Sequence, residues 1–190
     1  TFLATQRDDL LSAKNQLFET MEEMDAEVRA RFKEVFEAIR QEFKVVFPNM
    51  FGGGRAELVL TDPSDLLKTG IEIEVQPPGK KLQSLSLLSG GERALTAIAL
   101  LFSIIRVCPV PFCILDEVEA ALDEANVKRF GRYLSDFQDD TQFIVVTHRK
   151  GTMVAADVLY GVTMQESGVS KIVSVRMEDI NEEGKMETKV

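Results

Sequence analysis

The sequence predicts an α/β fold: a mostly parallel sheet flanked by helices, closed by a C-terminal β-hairpin and preceded by a long N-terminal helix. Three observations predict it. Residues 1–47 contain neither Gly nor Pro and repeat apolar residues at helical spacing. Two short apolar runs, Phe112 to Leu115 and Gln142 to Val146, alternate with helical patterns, as buried parallel strands do. Val158 to Met164 and Ser170 to Arg176 flank a Ser167-Gly168 turn signal.

In the long helix the apolar positions are Leu3, Leu10, Leu17, Met21, Met24, Val28, Phe32, Val35, Ile39, Phe43 and Val46. At 1.5 Å per residue it would reach roughly 70 Å. Leu3, Leu10, Leu17 and Met24 keep a seven-residue repeat, which supercoils. From Met24 onward, paired four-residue steps at 24, 28, 32 and at 35, 39, 43 lengthen the period toward that of a straight helix. A coiled-coil arm is therefore expected to run into a globular body near Phe36 to Phe47. Pro48 and the glycines to Gly54 end the helix.

Ala56 to Leu60 and Ile71 to Val75 read as strands, the second half exposed because it alternates apolar and acidic residues. Pro77, Pro78 and Gly79 open a loop, and an apolar helix spans about Gly90 to Val107. After the strand at Phe112, a helix at about Glu124 to Phe137 presents Val127, Phe130, Leu134 and Phe137 on one face. The division expected is an arm base at 1–47, a lobe at 48–180 and a polar tail at 181–190.

Composition narrows the class. The chain has 190 residues, 45% of them hydrophobic, which is enough for one packed domain with an arm. A formal charge of −9 argues against broad phosphate-backbone binding by this segment. Cys108 and Cys113 fit neither a metal knuckle nor a disulfide framework, so a reducing compartment is expected. The stretch Ala94 to Leu115 carries one charge, Arg106. Its unbroken apolar part is about a dozen residues, whereas a bilayer span needs about twenty. No secretory leader is visible, and the start at Thr1 suggests a fragment.

The chemistry lies at four places. Ser89-Gly90-Gly91-Glu92 precedes the apolar helix: Ser89 and Glu92 suit a capping box, and two residues without Cβ let backbone N–H groups approach an anion. Phe112 to Leu115 ends in Asp116-Glu117, and open α/β sheets bind ligands at the carboxyl ends of strands. The first acid of such a pair can hold Mg²⁺, and the second can deprotonate a water. Asp123 suits an N-cap for the helix after it. His148, the single histidine, follows the second buried strand. If the two strands are parallel, it shares a sheet edge with Asp116 and Glu117.

Order and spacing of these residues resemble ABC-type ATPases: Ser89 to Glu92 their signature motif, Ile114 to Glu117 their Walker B strand, Asp123 their D-loop, His148 their switch histidine. The strings L-S-G-G-E-R-A-L-T-A-I-A-L-L-F and L-D-E-V-E-A-A-L-D-E-A-N-V resemble the C-terminal half of the SMC (structural maintenance of chromosomes) head, bacterial type. The resemblance covers about residues 30 to 178, with the long helix as the base of the coiled coil. It implies an ABC-ATPase-like half-head with ATP and Mg²⁺ as cofactors. Asp116 would hold the metal through water, in the family's manner. Glu117 would activate the hydrolytic water and His148 would touch the γ-phosphate. Ser89, Gly90, Gly91 and Glu92, with Asp123, would meet the ATP of a second head.

No G-x-x-x-x-G-K-[ST] loop occurs in the chain. In SMC proteins that cradle belongs to the N-terminal half of the head, so the segment is expected to be half of a nucleotide site. The resemblance implies further partners: that N-terminal half, a second head joined by ATP in a homodimer, and a kleisin of ScpA type. The kleisin's winged-helix domain would dock at the hairpin 158–176. DNA would be the cargo, and the place cytoplasmic and nucleoid-associated. The competing readings are a transporter nucleotide-binding subunit, a RecN-like DNA-repair ATPase head, and a catalytically inactive coiled-coil adaptor. The retained Glu117 speaks against the last.

Overall fold

The computed structural model describes residues 2–137 and 141–177. The polar tail expected at 181–190 and the last residues of the lobe lie outside the described residues. Helix α1 spans Phe2–Phe51 and runs four residues past the expected boundary. Pro48 is tolerated because it lies in the last turn, where only the bond to the Lys44 carbonyl is lost. The stop comes at Gly52, Gly53 and Gly54, with φ of 74°, 135° and 86°, where L side chains are strained. The Gly53 N–H closes the helix onto the Pro48 carbonyl at 2.8 Å. A Cβ on Gly54 would lie 2.3 Å from the Gln76 carbonyl oxygen, so no side chain fits there.

The described side chains in the first half of α1 are exposed. Leu10, Leu17, Met21 and Met24 stand exposed along it. Packing on the core begins at Phe36 and Ile39, within the span expected for entry into a globular body, and burial is complete at Phe43, Val46, Phe47 and, beyond that span, Met50.

There β1 (Arg55–Leu60) pairs antiparallel with β2 (Ile71–Gln76), and β2 with the short β3 (Gln83–Ser84). A single 3-10 turn, Leu85–Leu87, leads into α2 (Gly90–Val107). β4 (Phe112–Asp116), α3 (Glu124–Ser135) and β5 (Gln142–Val146) form a parallel unit, with Phe112 opposite Gln142 and Asp116 opposite Val146. A short helix α4 (Lys150–Met153) and the hairpin of β6 (Val158–Glu166) and β7 (Val169–Arg176) complete the described chain. Helix α3 stops two residues short of the expected end, and Phe137 is buried just beyond it.

The core joins the end of α1 to α2 and α3. Phe102 sits at its centre, fully buried, with ring centroids of Tyr133 and Phe137 at 5.0 Å and 5.6 Å. Phe143 brings the inner face of the parallel pair onto this cluster at 5.8 Å. Helix α2, although apolar, does not qualify as a span: among the described residues no helix is long and apolar enough to cross a membrane.

A further expectation differs from the structure. The apolar strands of the parallel pair were expected to be covered on both faces. Cys113, Leu115, Phe143 and Val145 do face the core. Phe112, Ile114, Ile144 and Val146 are exposed on the other face. Among the described residues the helical core packs on the inner face, where Phe102 and Phe137 meet Phe143. Parallel pairing among the described residues is confined to β4 and β5, the other strand pairs being antiparallel.

Candidate functional site at the carboxyl edge of the parallel strands

Parallel register brings the carboxyl ends of β4 and β5 to one edge, and with them the acidic pair and the histidine. Asp116 is the last residue of β4 and is exposed. Glu117 follows at φ 47°, the one non-glycine with positive φ among the described residues. That conformation is sparsely populated for a side chain as long as glutamate and is held by the surroundings. Here the Glu117 N–H donates to the Val146 carbonyl at 2.9 Å. The turn aims the carboxylate at the neighbouring strand end, and Oε1 lies 3.3 Å from His148 Nδ1. Both side chains are more than half exposed, so the pair is accessible to a ligand.

Ser89 to Glu92 form the capping box the sequence predicts. The Glu92 N–H donates to Ser89 Oγ at 3.4 Å and the Ser89 N–H donates to Glu92 Oε2 at 3.1 Å. The Lys80 ammonium lies 2.8 Å from Glu92 Oε1. Lys80 first, then the Ser89 hydroxyl, hold the Glu92 carboxyl below the usual carboxylate range. Glu92 is thus engaged at the helix start by its own chain.

The two glycines differ. A Cβ on Gly91 would lie 2.9 Å from the Ala121 carbonyl oxygen, so the start of α2 packs directly on the loop that leads to Asp123. A Cβ on Gly90 would meet nothing within 4 Å, which leaves that backbone open to the outside. Gly91→Ala is expected to destabilise the fold by about 1–3 kcal/mol through overpacking, while Gly90→Ala stays within about 0.5 kcal/mol. Denaturant unfolding of the two variants side by side checks this. Equal destabilisation would contradict the packing assigned to Gly91.

Asp123 is the N-cap of α3: its Oδ1 accepts from the Asn126 N–H at 2.8 Å. Asn126 passes the connection on. Its Oδ1 accepts from Arg129 Nη1, which also donates to the Phe51 carbonyl at 3.0 Å, at the end of the arm helix. No hydrogen bond or ion pair joins Ser89 to Glu117 or His148 among the described residues. The structure therefore groups Glu117 with His148, and Gly91 with the loop before Asp123, as two separate clusters.

For a divalent metal the donor set is lean. No group of three or more His, Cys, Asp or Glu that could hold a metal occurs among the described residues. A single hard carboxylate at a strand end suits Mg²⁺, which keeps waters and takes phosphate oxygens as its other ligands. Asp116 fits that requirement.

Sequence reasoning missed Glu119, Thr147 and Arg149. Glu119 is buried, and its Oε1 accepts hydrogen bonds from Thr147 and Thr152. Arg149 donates to the Leu122 carbonyl at 3.0 Å. A glutamate inside the small-residue run before Leu122 is the only local hint of this network.

The fold and the site define an α/β head lobe with its chemistry gathered at the carboxyl edge of a parallel strand pair. The RecF/RecN/SMC N terminal domain family matches residues 5–171, and the chain belongs to it. The chain is 68% identical over 181 residues to the chromosome partition protein Smc of Bacillus subtilis (strain 168), covering 95% of this chain and 15% of that protein. It thus spans about a seventh of the length of this curated relative. Among solved structures it is similar to the Smc head domain with an extended coiled coil from Pyrococcus furiosus, bound to the C-terminal domain of ScpA. That match has a TM-score of 0.76 and 40% identity, and covers 93% of this chain and 44% of that one. A chain solved in work on ATP-driven dimerization and DNA stimulated activation of SMC ATPases matches with a TM-score of 0.72 and 41% identity. It covers 79% of this chain and 91% of that one. The fold is that of SMC head domains.

Proposed function

We propose that the chain is the C-terminal half of an SMC ATPase head with the base of its coiled-coil arm. With the N-terminal half it binds and hydrolyses ATP between two engaged heads, in chromosome partition. The observation that carries this reading is the parallel pair β4–β5. It presents Asp116, Glu117 and His148 at one edge, yet leaves Phe112, Ile114, Ile144 and Val146 bare on one face. A bare apolar face on a parallel pair asks for a further segment. The N-terminal half would cover it and supply the phosphate cradle. High identity to a chromosome partition protein favours this over a RecN-like repair head, and the intact acidic pair favours it over an inactive adaptor.

In this reading Asp116 holds Mg²⁺, which neutralises phosphate charge when bound. Glu117 takes the proton of the attacking water at its carboxylate, and its strained backbone and the His148 contact fix its direction. His148 donates to the γ-phosphate. Ser89, Gly90 and Gly91 offer the positive end of α2 to the ATP of the opposite head, with Asp123 at the same interface.

The arm, residues 1–47, pairs its exposed heptad stripe with a second helix. The lobe, 48–180, also carries the kleisin contact. On the hairpin, Tyr160, Val162, Met164 and Ile172 share one exposed face, which suits a ScpA-type winged-helix domain. DNA is the cargo of the whole complex, whose place is the nucleoid.

The test compares the chain alone with the chain co-purified with the N-terminal head segment. ATP turnover and ATP-dependent doubling of mass by light scattering are expected for the pair only, since positioning of the phosphates supplies most of phosphoryl-transfer catalysis. A folded pair that neither hydrolyses ATP nor dimerises overturns the reading.

A further inference from the structure

We propose that Glu119 is a positioning residue for hydrolysis: its buried carboxylate holds the loop carrying His148 in register with Glu117. The inference rests on the ATPase reading above and deepens it.

Glu119 is 1% exposed. It lies in the tight turn after β4, where the Ala120 N–H donates to the Glu117 carbonyl and the Leu122 N–H to the Glu119 carbonyl. Its Oε1 accepts from the hydroxyls of Thr147 and Thr152. Thr147 Oγ1 in turn accepts from the Arg149 N–H at 3.0 Å. Arg149 reaches back to the Leu122 carbonyl of the same turn. His148 is therefore bracketed on both sides by residues anchored to the turn that begins at Glu117.

The second oxygen, Oε2, is buried without a hydrogen-bond partner among the described residues. A buried carboxylate with an orphan oxygen costs stability that an apolar side chain of similar volume would avoid. Packing alone does not call for a glutamate. Its acceptor oxygen between two hydroxyls does, because it ties two segments 28 residues apart in sequence to one geometry. Misplacing a reacting group by about 1 Å costs up to roughly a hundredfold in rate.

The experiment uses the complete ATPase, with its N-terminal half present. Glu119→Ala is expected to lower kcat between about tenfold and a hundredfold. KM for ATP should stay within about twofold, with ATP-dependent pairing of heads retained, because binding groups are untouched. Glu119→Gln keeps an acceptor oxygen and should recover most of the rate. Thr147→Val should reproduce the loss, and the double variant Glu119→Ala with Thr147→Val should be no slower than the worse single variant. A wild-type kcat in Glu119→Ala, or additive losses in the double variant, overturns the proposal. If Glu119→Ala does not fold, Thr147→Val decides: an unchanged kcat overturns it. Failure of the underlying ATPase reading shows separately, as absent turnover in the wild type, and removes this inference with it.

Discussion

Glu117→Gln is expected to lower the ATP turnover of the completed head by about a thousandfold, the middle of the range for losing a positioned general base. The amide is nearly isosteric and still reaches His148, so the strand end and its strained turn remain. What it loses is the capacity to accept a proton at neutral pH. Binding should survive, because the groups proposed to hold phosphate and metal lie elsewhere. The variant should therefore accumulate as an ATP-bound pair of heads. Phosphate release gives the first quantity and light scattering with ATP the second. Turnover within tenfold of wild type would remove Glu117 from the role of base. Loss of both turnover and dimerisation would mean that the residue is needed for assembly.

Phe102→Ala should have the largest effect on stability, about 3–5 kcal/mol. Phe102 is fully buried and its ring lies within 6.1 Å, centroid to centroid, of Phe130, Tyr133, Phe137 and Phe143. Four rings from α3, the loop after it and β5 converge on one side chain of α2. They cannot all collapse into the space it leaves. Because Phe143 belongs to β5, the loss should also loosen the strand that carries His148 into place. Denaturant titration reads the stability, and a loss under 1 kcal/mol would show that the cluster closes over the cavity. Substitutions at Leu17 or Met24, exposed on the arm, offer the contrast when the arm is unpaired, with changes within about 0.5 kcal/mol.

Much of the site was legible because its parts are local. The capping box needs only Ser89 and Glu92, and the N-cap only Asp123 and Asn126, all within one helical turn. Helix α2 spans Gly90–Val107, the bounds the sequence predicts. The parallel register of β4 and β5, predicted from two apolar runs with a helix between them, placed His148 beside the acidic pair. The helix end was misjudged for a local reason as well. Pro48 was read as a stop, although in a final turn it removes one bond and the glycines do the stopping.

What the sequence by itself determined is most of the elements and their order, the long helix, and the residue types brought to one sheet edge; the short β3, the 3-10 turn and α4 came only with the structure. The former depend on propensities and periodicities that act over a few residues. Tertiary structure alone decided the rest. It gave Gly91 its contact with the Ala121 carbonyl, buried Glu119 between Thr147 and Thr152, and left one face of the parallel pair bare. These depend on which distant segments close upon one another. A side chain does not encode its partner thirty residues away: the same glutamate is solvated on a surface and becomes a fixed anchor only when the packed chain surrounds it.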